Sequence, residues 1–562
     1  MADAARSTVS NWLSSLARNS RRWVTATVIA GTLAGLATIV QMVLLAGVIH
    51  QGVIEKVPVS GLTPWFVALL GVLVIRAIGQ GLQTRFAARC SEQVRREARW
   101  QLHQHWKATG PVNLSDTSAA SLAREWLDHV EALHGYFARF LPQMTLSVII
   151  PVCILVLVFW LDWLAGMFLA LSAPLIPLFM ALVGMGAEKL NQQHFETVSR
   201  LSGQFLDKIR GLTTLQLFGR TQEASQTLQS RSDQYRMITM KTLKVAFLSS
   251  AVLEFFASVA IAVLAIYIGF GLLGYIEFGP SDELTLFSGL LILLLAPEFF
   301  QPLRTLSQHY HDRAAALGAG TEILARLEQP VRSGAIASTT ETGESPRSSA
   351  DRIQIDNVSV RYGDGPIILH HLDLTISRGE VVALTGPSGG GKSTLLHLMA
   401  GFIQPGVGAV SVFGAAPGEH PFGWLGQRGF WIQGTWAENL RLTSPDASDI
   451  AIDFALRQVG LGELIDSRPE GIYSAMAEDG QGLSGGQARR LSLARIFLAD
   501  YQLILLDEPT AGLDATSEVF IVDALRKLCE SGKNLVFSTH HQALLTLADR
   551  VLIVNEGEVR DA

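Results

Sequence analysis

The sequence predicts a chain of two unlike parts: an all-α domain of six membrane-crossing helices, then an α/β domain built around a phosphate-binding loop. Three observations carry this reading. Apolar windows of about 20 residues, the length that crosses the hydrocarbon core of a bilayer, recur before position 305. From Gln329 to Arg352 the chain is rich in Ser, Thr, Gly and Pro and nearly devoid of large apolar residues, which is linker composition. Beyond it, apolar β-rich runs alternate with helical patterns, as in a largely parallel sheet covered by helices. The expected extents are 1–328 for the membrane domain, 329–352 for the linker and 353–562 for the α/β domain.

Composition supports a membrane part. Of 562 residues, 49% are hydrophobic and only 17% charged, and the mean hydropathy of +0.30 is high for a soluble chain. A net charge of −6 provides no basic field for nucleic acid. Cys90, Cys153 and Cys529 lie far apart, so neither a disulfide framework nor a clustered metal site is expected. Arg6, Arg18, Arg21 and Arg22 precede an apolar run that is too long for a signal-peptide core, so it should remain as an anchor.

The six spans are placed near 24–49, 62–82, 143–161, 163–185, 246–275 and 285–304. Only Leu161-Asp162-Trp163 separates the third from the fourth, a tight turn with Trp160 and Trp163 suited to an interfacial belt. Segments 83–140 and 187–245 carry eight and nine Lys or Arg residues, whereas 50–61, 161–163 and 276–284 are short and poor in positive charge. The positive-inside rule therefore puts both long segments and the N-terminus in the cytoplasm. Their helix-compatible periodicity extends the membrane helices beyond the bilayer. Gly110-Pro111-Val112-Asn113 and Arg210-Gly211-Leu212-Thr213-Thr214 are turn signals near the middle of each, suited either to pressing on a soluble domain or to plain surface turns. Arg76, Glu254 and Glu298 fall within spans, where an ionisable group needs a cavity, a partner or an interface to snorkel to.

In the α/β domain a strand ending at Thr385 runs into Gly386-Pro387-Ser388-Gly389-Gly390-Gly391-Lys392-Ser393-Thr394 and then a helix. Glycines let backbone N–H groups wrap the phosphates, Lys392 supplies a point charge, and the Ser393 hydroxyl is a Mg²⁺ ligand at a helix N-terminus that favours an anion. Leu503-Ile504-Leu505-Leu506 delivers Asp507 and Glu508 at a strand end, where ligands of such sheets gather. Asp507 suits Mg²⁺ held through water. Glu508 suits an attacking water that must be oriented, because phosphoryl transfer needs positioning more than covalent chemistry.

Between these motifs stands Leu483-Ser484-Gly485-Gly486-Gln487, and here the chain resembles the ATP-binding cassette (ABC) transporters, whose signature is this pentapeptide. In that family the signature of one cassette caps the ATP held by the phosphate loop of another, so the resemblance implies an obligatory pair and makes this chain a half-transporter. It also assigns Tyr362 to adenine stacking, Gln427 to Mg²⁺ sensing and contact with the membrane domain, Asp514 to the contact between cassettes, and His540, after Thr539, to the γ-phosphate switch. ATP and Mg²⁺ are the implied cofactors. Six spans with long cytoplasmic extensions resemble the exporter type.

A narrower likeness covers three membrane runs: 174–186, 246–256 and 295–304, which resemble the CydD-type half-transporters. That likeness implies a heterodimer with a CydC-like partner in a bacterial inner membrane, a role in cytochrome bd assembly, and cysteine, glutathione or haem as substrate. Relatives carry a Tyr-His pair where this chain has Tyr310 and His311, which makes these two the candidate substrate contacts. The implied mechanism is alternating access, with coupling turns near 110–118 and 210–218 and reset by hydrolysis at Glu508. The chain stops at Ala562, before the further helical segment usual in relatives, which weakens any inference about C-terminal dimer contacts. The competing readings are a homodimeric lipid or drug exporter and an ATP-gated regulator with little turnover; Glu508 and His540 argue against the regulator.

Overall fold

A computed structural model describes residues 2–114, 117, 119–174, 208–209, 211–276, 278–280, 284–329, 351–362, 365–427, 429–476 and 482–562. The chain divides into two compact units. The first comprises Met1–His105 with Ser118–Gln329, and the second Trp106–Thr117 with Pro330–Ala562.

The first unit is helical. Among the described residues, five helical stretches are long and apolar enough to cross a membrane: Arg21–Val53, Val59–Leu114, Ser121–Leu161, Glu254–Leu272 and Leu286–Leu327. The expected span at 163–185 enters as the apolar helix Trp163–Ser172, and residues 175–185 lie outside the described residues. So does much of the expected extension at 187–245, although Leu212–Leu217 and Thr221–Leu272 are helices. The predicted turn at Gly110-Pro111 is present. Gly110 adopts φ 76°, a left-handed conformation that glycine enters without a Cβ clash, and Pro111 starts the next helical turn.

Packing in this unit relies on small residues. A Cβ on Gly35 would come within 2.6 Å of Ile150, so glycine is what lets Arg21–Val53 lie close against Leu141–Leu161. The turn joining the third and fourth spans is held by Asp162, which is 1% exposed. Its carboxylate accepts from the N–H groups of Leu164 and Ala165 and from the Tyr267 hydroxyl, all at 2.9 Å, so the buried charge is fully engaged. Trp160 and Trp163 on either side are exposed, as an interfacial belt requires.

Two of the three ionisable residues within spans have partners. Arg76 donates to Gln41 at 2.9 Å, and Glu254 pairs with Arg304 at 3.1 Å. Glu298 is half-buried between Pro297 and Phe299. Farther along, Glu125 and Arg326 form an ion pair at 2.7 Å with side chains only 8% and 15% exposed.

The second unit is α/β. Its strands are β1 (Arg352–Arg361), β2 (Ile367–Ser377), β3 (Val381–Thr385), β4 (Val407–Val412), β5 (Phe422–Leu425), β6 (Gly434–Thr435), β7 (Ala475–Met476), β8 (Leu503–Asp507), β9 (Asn534–Ser538), β10 (Arg550–Asn555) and β11 (Glu558–Asp561). The main sheet has the order β11-β10-β3-β9-β8-β5, parallel from β10 to β5 with β11 antiparallel at its edge. Strands β3, β8 and β9 are buried on both faces, which is why their sequences read as continuous aliphatic runs instead of alternating. A second, antiparallel sheet of order β2-β1-β4 packs its apolar face with the helix Lys392–Met399.

Candidate functional site

In a parallel sheet every strand ends at the same edge, and ligands gather there. The neighbours β3, β9, β8 and β5 therefore bring four sequence-distant segments together. These are the phosphate loop after β3, His540 after β9, Asp507 and Glu508 at the end of β8, and Gln427 two residues beyond β5.

The phosphate loop leaves β3 with Gly386 at φ 135°, its α-carbon turned against the carbonyl of Val554, where a side chain has no room. Gly389, Gly390 and Gly391 complete the bend into Lys392–Met399, and Ser393 and Thr394 occupy its first turn. Lys392 is 6% exposed and donates to the Gly386 and Pro387 carbonyls at 2.7 and 2.9 Å. A buried ammonium curled over the loop that carries it is poised for an anion, because phosphate oxygens would replace those two carbonyls. Tyr362, just past β1, donates to the Thr394 hydroxyl at 3.3 Å, which ties the candidate adenine-stacking residue to the phosphate helix.

Asp507 is 5% exposed and accepts from the Ser538 hydroxyl at 2.7 Å, while that serine accepts from the Glu508 N–H at 2.8 Å. Ser538, the last residue of β9, thus ties the Asp507 carboxylate to the Glu508 backbone. Glu508 sits at φ 49°, a left-handed conformation that costs a non-glycine residue roughly 1 kcal/mol or more. This bend turns its carboxylate away from the strand direction and within 3.9 Å of His540 Nε2. The adjacent His541 faces elsewhere, paired with Glu518. A buried carboxylate and a serine hydroxyl at the start of a helix are hard oxygen donors that suit Mg²⁺, and the lysine beside them suits the polyphosphate.

Sequence reasoning missed Arg489. It donates to the carbonyls of Gln427 at 2.9 Å, Asp507 at 2.8 Å and Pro509 at 3.1 Å, and also to that of Glu508. One rigid guanidinium fork therefore binds the segment after β5 to the one after β8. Burial pulls its pKa down, against the opposing pull of Asp507 and Glu508. The only signal for this role was its place two residues after Gln487, which does not specify what it faces.

The signature folds as a helix start. Ser484 accepts from the Gln487 N–H at 3.2 Å, and Gln487 accepts from the Ser484 N–H at 2.9 Å, a capping box opening the helix Gly485–Leu498. Ser484 and Gly485 are exposed, while Gly486 is buried against Ser517 and Asp514. Asp514 caps Ala515–Glu530, and bonds from Ser517 hold its carboxyl below the usual range.

In the helical unit, the sixth span breaks at His309, and Tyr310 and His311 open the helix Tyr310–Leu327. Tyr310 accepts from Arg313 at 3.2 Å and lies edge-on to Phe140, and His311 is half-buried beside it.

Comparison with known proteins agrees with both parts. Residues 24–297 match the ABC transporter transmembrane region, and residues 369–511 match the ABC transporter family. The chain is 38% identical over 98% of its length to a Haemophilus influenzae protein described as the glutathione/L-cysteine transport system ATP-binding/permease protein CydD, 94% of which is covered. The corresponding Escherichia coli protein is 34% identical over 98% of this chain and 94% of its own length. A Bacillus subtilis protein described as CydC of such a system is 31% identical over 91% and 87%. Matched in order along nearly its whole length, the chain belongs to the ABC transporters, as an exporter-type, ATP-hydrolysing membrane protein of the CydD kind.

Proposed function

We propose that this chain is the CydD-like half of a heterodimer with a CydC-like ABC half-transporter. It exports glutathione or L-cysteine across a bacterial inner membrane in support of cytochrome bd assembly. The observation that carries this reading is the full-length likeness to CydD proteins described as glutathione/L-cysteine transport components. The N-terminus and the ATPase unit are cytoplasmic, on the charge distribution of the loops.

In the proposed site the Gly386–Gly391 backbone, Lys392 and Thr394 bind the phosphates, and Tyr362 stacks on adenine. Ser393, Asp507 and Gln427 hold Mg²⁺, which when bound neutralises charge on the phosphate oxygens. Glu508 accepts a hydrogen bond from water and aims it at the γ-phosphorus. The water oxygen bonds to phosphorus as the bond to the β,γ-bridging oxygen breaks, giving ADP and phosphate. His540, within reach of Glu508, contacts the γ-phosphate and reports its loss. Ser484, Gly485, Gly486 and Gln487 complete the partner's site, for which an exposed helix start is the right chemistry, and Asp514 lies at the contact between cassettes. Tyr310 and His311 at the helix break are the proposed substrate contacts.

The test is ATPase activity of the purified chain, alone and with a co-expressed CydC-like partner, titrated with glutathione, cysteine and haem. Stimulation by a thiol in the heterodimer only is the expected result. Stimulation by haem alone would replace the substrate class, and full activity of the single chain, indifferent to all three, would overturn the heterodimer. Nucleotide trapping separates the two composite sites: Glu508→Gln and Ser484→Ala should damage opposite ones, and equal loss at both from either variant would sink the assignment.

A further inference from the structure

Where the first span begins and the second ends its apolar stretch, the two helices enclose a cavity of about 740 Å³. Arg22, Trp23, Arg89, Glu92, Arg96 and Trp100 line it. A neighbouring cavity of about 500 Å³ shares Glu92, Arg96 and Trp100 and adds Arg95 and Arg99. The wall is strongly basic. Five arginines face three carboxylates: Glu92 pairs with Arg96 at 3.1 Å and with Arg89 at 3.9 Å, Glu131 serves both Arg95 and Arg99, and Glu97 takes a side-chain amide.

Arg22 lacks a carboxylate partner among the described residues. Its guanidinium lies 5.5 Å from the Trp23 ring centre, and Trp23 in turn packs on Phe86. Position along the helices runs from apolar to charged: Trp23 and Phe86 lie at the end of the hydrocarbon stretch, and Arg89 and Arg96 follow one and three turns farther out. An aromatic floor under a row of cations, at headgroup depth, matches the acyl-to-phosphate junction of a phospholipid.

We infer that this groove is a binding site for one anionic phospholipid headgroup, its phosphodiester between Arg22 and Arg89 and its glycerol against Trp23. An anionic lipid is favoured over a zwitterionic one because arginines outnumber carboxylates around the groove and Arg22 has no carboxylate partner among the described residues. Neither arginine belongs to the ATP site or the proposed substrate contacts. Bound there, the lipid would fix the angle at which the first span enters the membrane, since Gln93 already ties the second helix to the Asn19 carbonyl at 3.2 Å.

The test uses the assembled transporter in nanodiscs of mixed phosphatidylglycerol and phosphatidylcholine, with co-purifying lipid quantified by mass spectrometry. Wild type should retain phosphatidylglycerol preferentially. Arg22→Gln with Arg89→Gln should cut that preference by roughly twenty-five-fold, at about five-fold for each interfacial arginine. Arg220→Gln, a loss of one positive charge elsewhere, should leave it unchanged. Equal retention of both lipids by wild type overturns the site without any variant. So does a preference that survives the double substitution, or one that Arg220→Gln lowers as much.

Discussion

The two units bury their polar groups to different ends. In the ATPase unit the sheet edge buries Lys392 and Asp507 almost completely and surrounds them with matched partners. In the helical unit the apolar window of Val59–Leu114 is only 6% buried, against 50% for Leu286–Leu327. A reaction at one phosphorus needs a few groups held rigidly, and strand ends supply that rigidity. A membrane helix needs only apolar surface toward its surroundings, so its sequence carries less about what it touches.

The sharpest way to break this comparison is at Glu508. Glu508→Gln keeps the shape of the side chain and its N–H bond to Ser538 but removes the acceptor charge for water. Turnover should fall by about 10²- to 10⁴-fold with nucleotide affinity nearly unchanged, measured as phosphate release beside ATP binding. A parallel loss of affinity would mean that Glu508 holds the loop, not the water.

Next in size is the buried pair Glu125–Arg326, which shows that the helical unit also buries charge where helices meet. Removing one partner strands the other, so Glu125→Ala should destabilise by about 3–5 kcal/mol in thermal unfolding. Glu125→Leu with Arg326→Met should recover most of that. If it does not, the bonds to Arg326 serve something beyond compensation of charge.

Arg489→Met tests whether the ATPase edge is stapled as described. It leaves carbonyls of Gln427, Asp507 and Pro509 without their donor, at a cost of about 2–3 kcal/mol. Hydrogen exchange should rise first at the ends of β5 and β8. Arg489→Lys should recover little, because an ammonium cannot span three carbonyls as the fork does.

These three sites differ in how far the sequence announces them. The phosphate loop, Asp507-Glu508, the signature and His540 are contiguous motifs whose strand-to-helix setting can be read locally. Arg489 and Ser538 act through partners brought together by strand order, and β9 reaches β8 only through tertiary folding. Glu125 meets Arg326 across 201 positions, beyond any local periodicity. Asp162 was legible as a turn, but its bond to Tyr267 was not. The membrane unit was legible as lengths and loop charges, because lipid constrains exactly those properties and little else.

The smallest effect tests the segment that crosses this division. Trp106–Thr117 belongs to the ATPase unit although its helix begins in the membrane unit. Val112 packs on the core beneath the phosphate helix, and the Gly110 α-carbon backs onto the Phe402 carbonyl. Phe402 lies 5.0 Å from the Trp424 ring, and Trp424 lies 5.5 Å from His397 on the phosphate helix. An unbroken line of contacts therefore joins the turn at Gly110 to the helix that starts at Lys392. Val112→Ala removes two methyl groups from it and should cost about 1 kcal/mol of stability. If the line carries coupling, substrate stimulation of the ATPase should drop while basal turnover and the KM for ATP stay put. If Val112 is packing alone, stimulated and basal rates should fall together, and the division between the two units would then be mechanical nowhere along this segment.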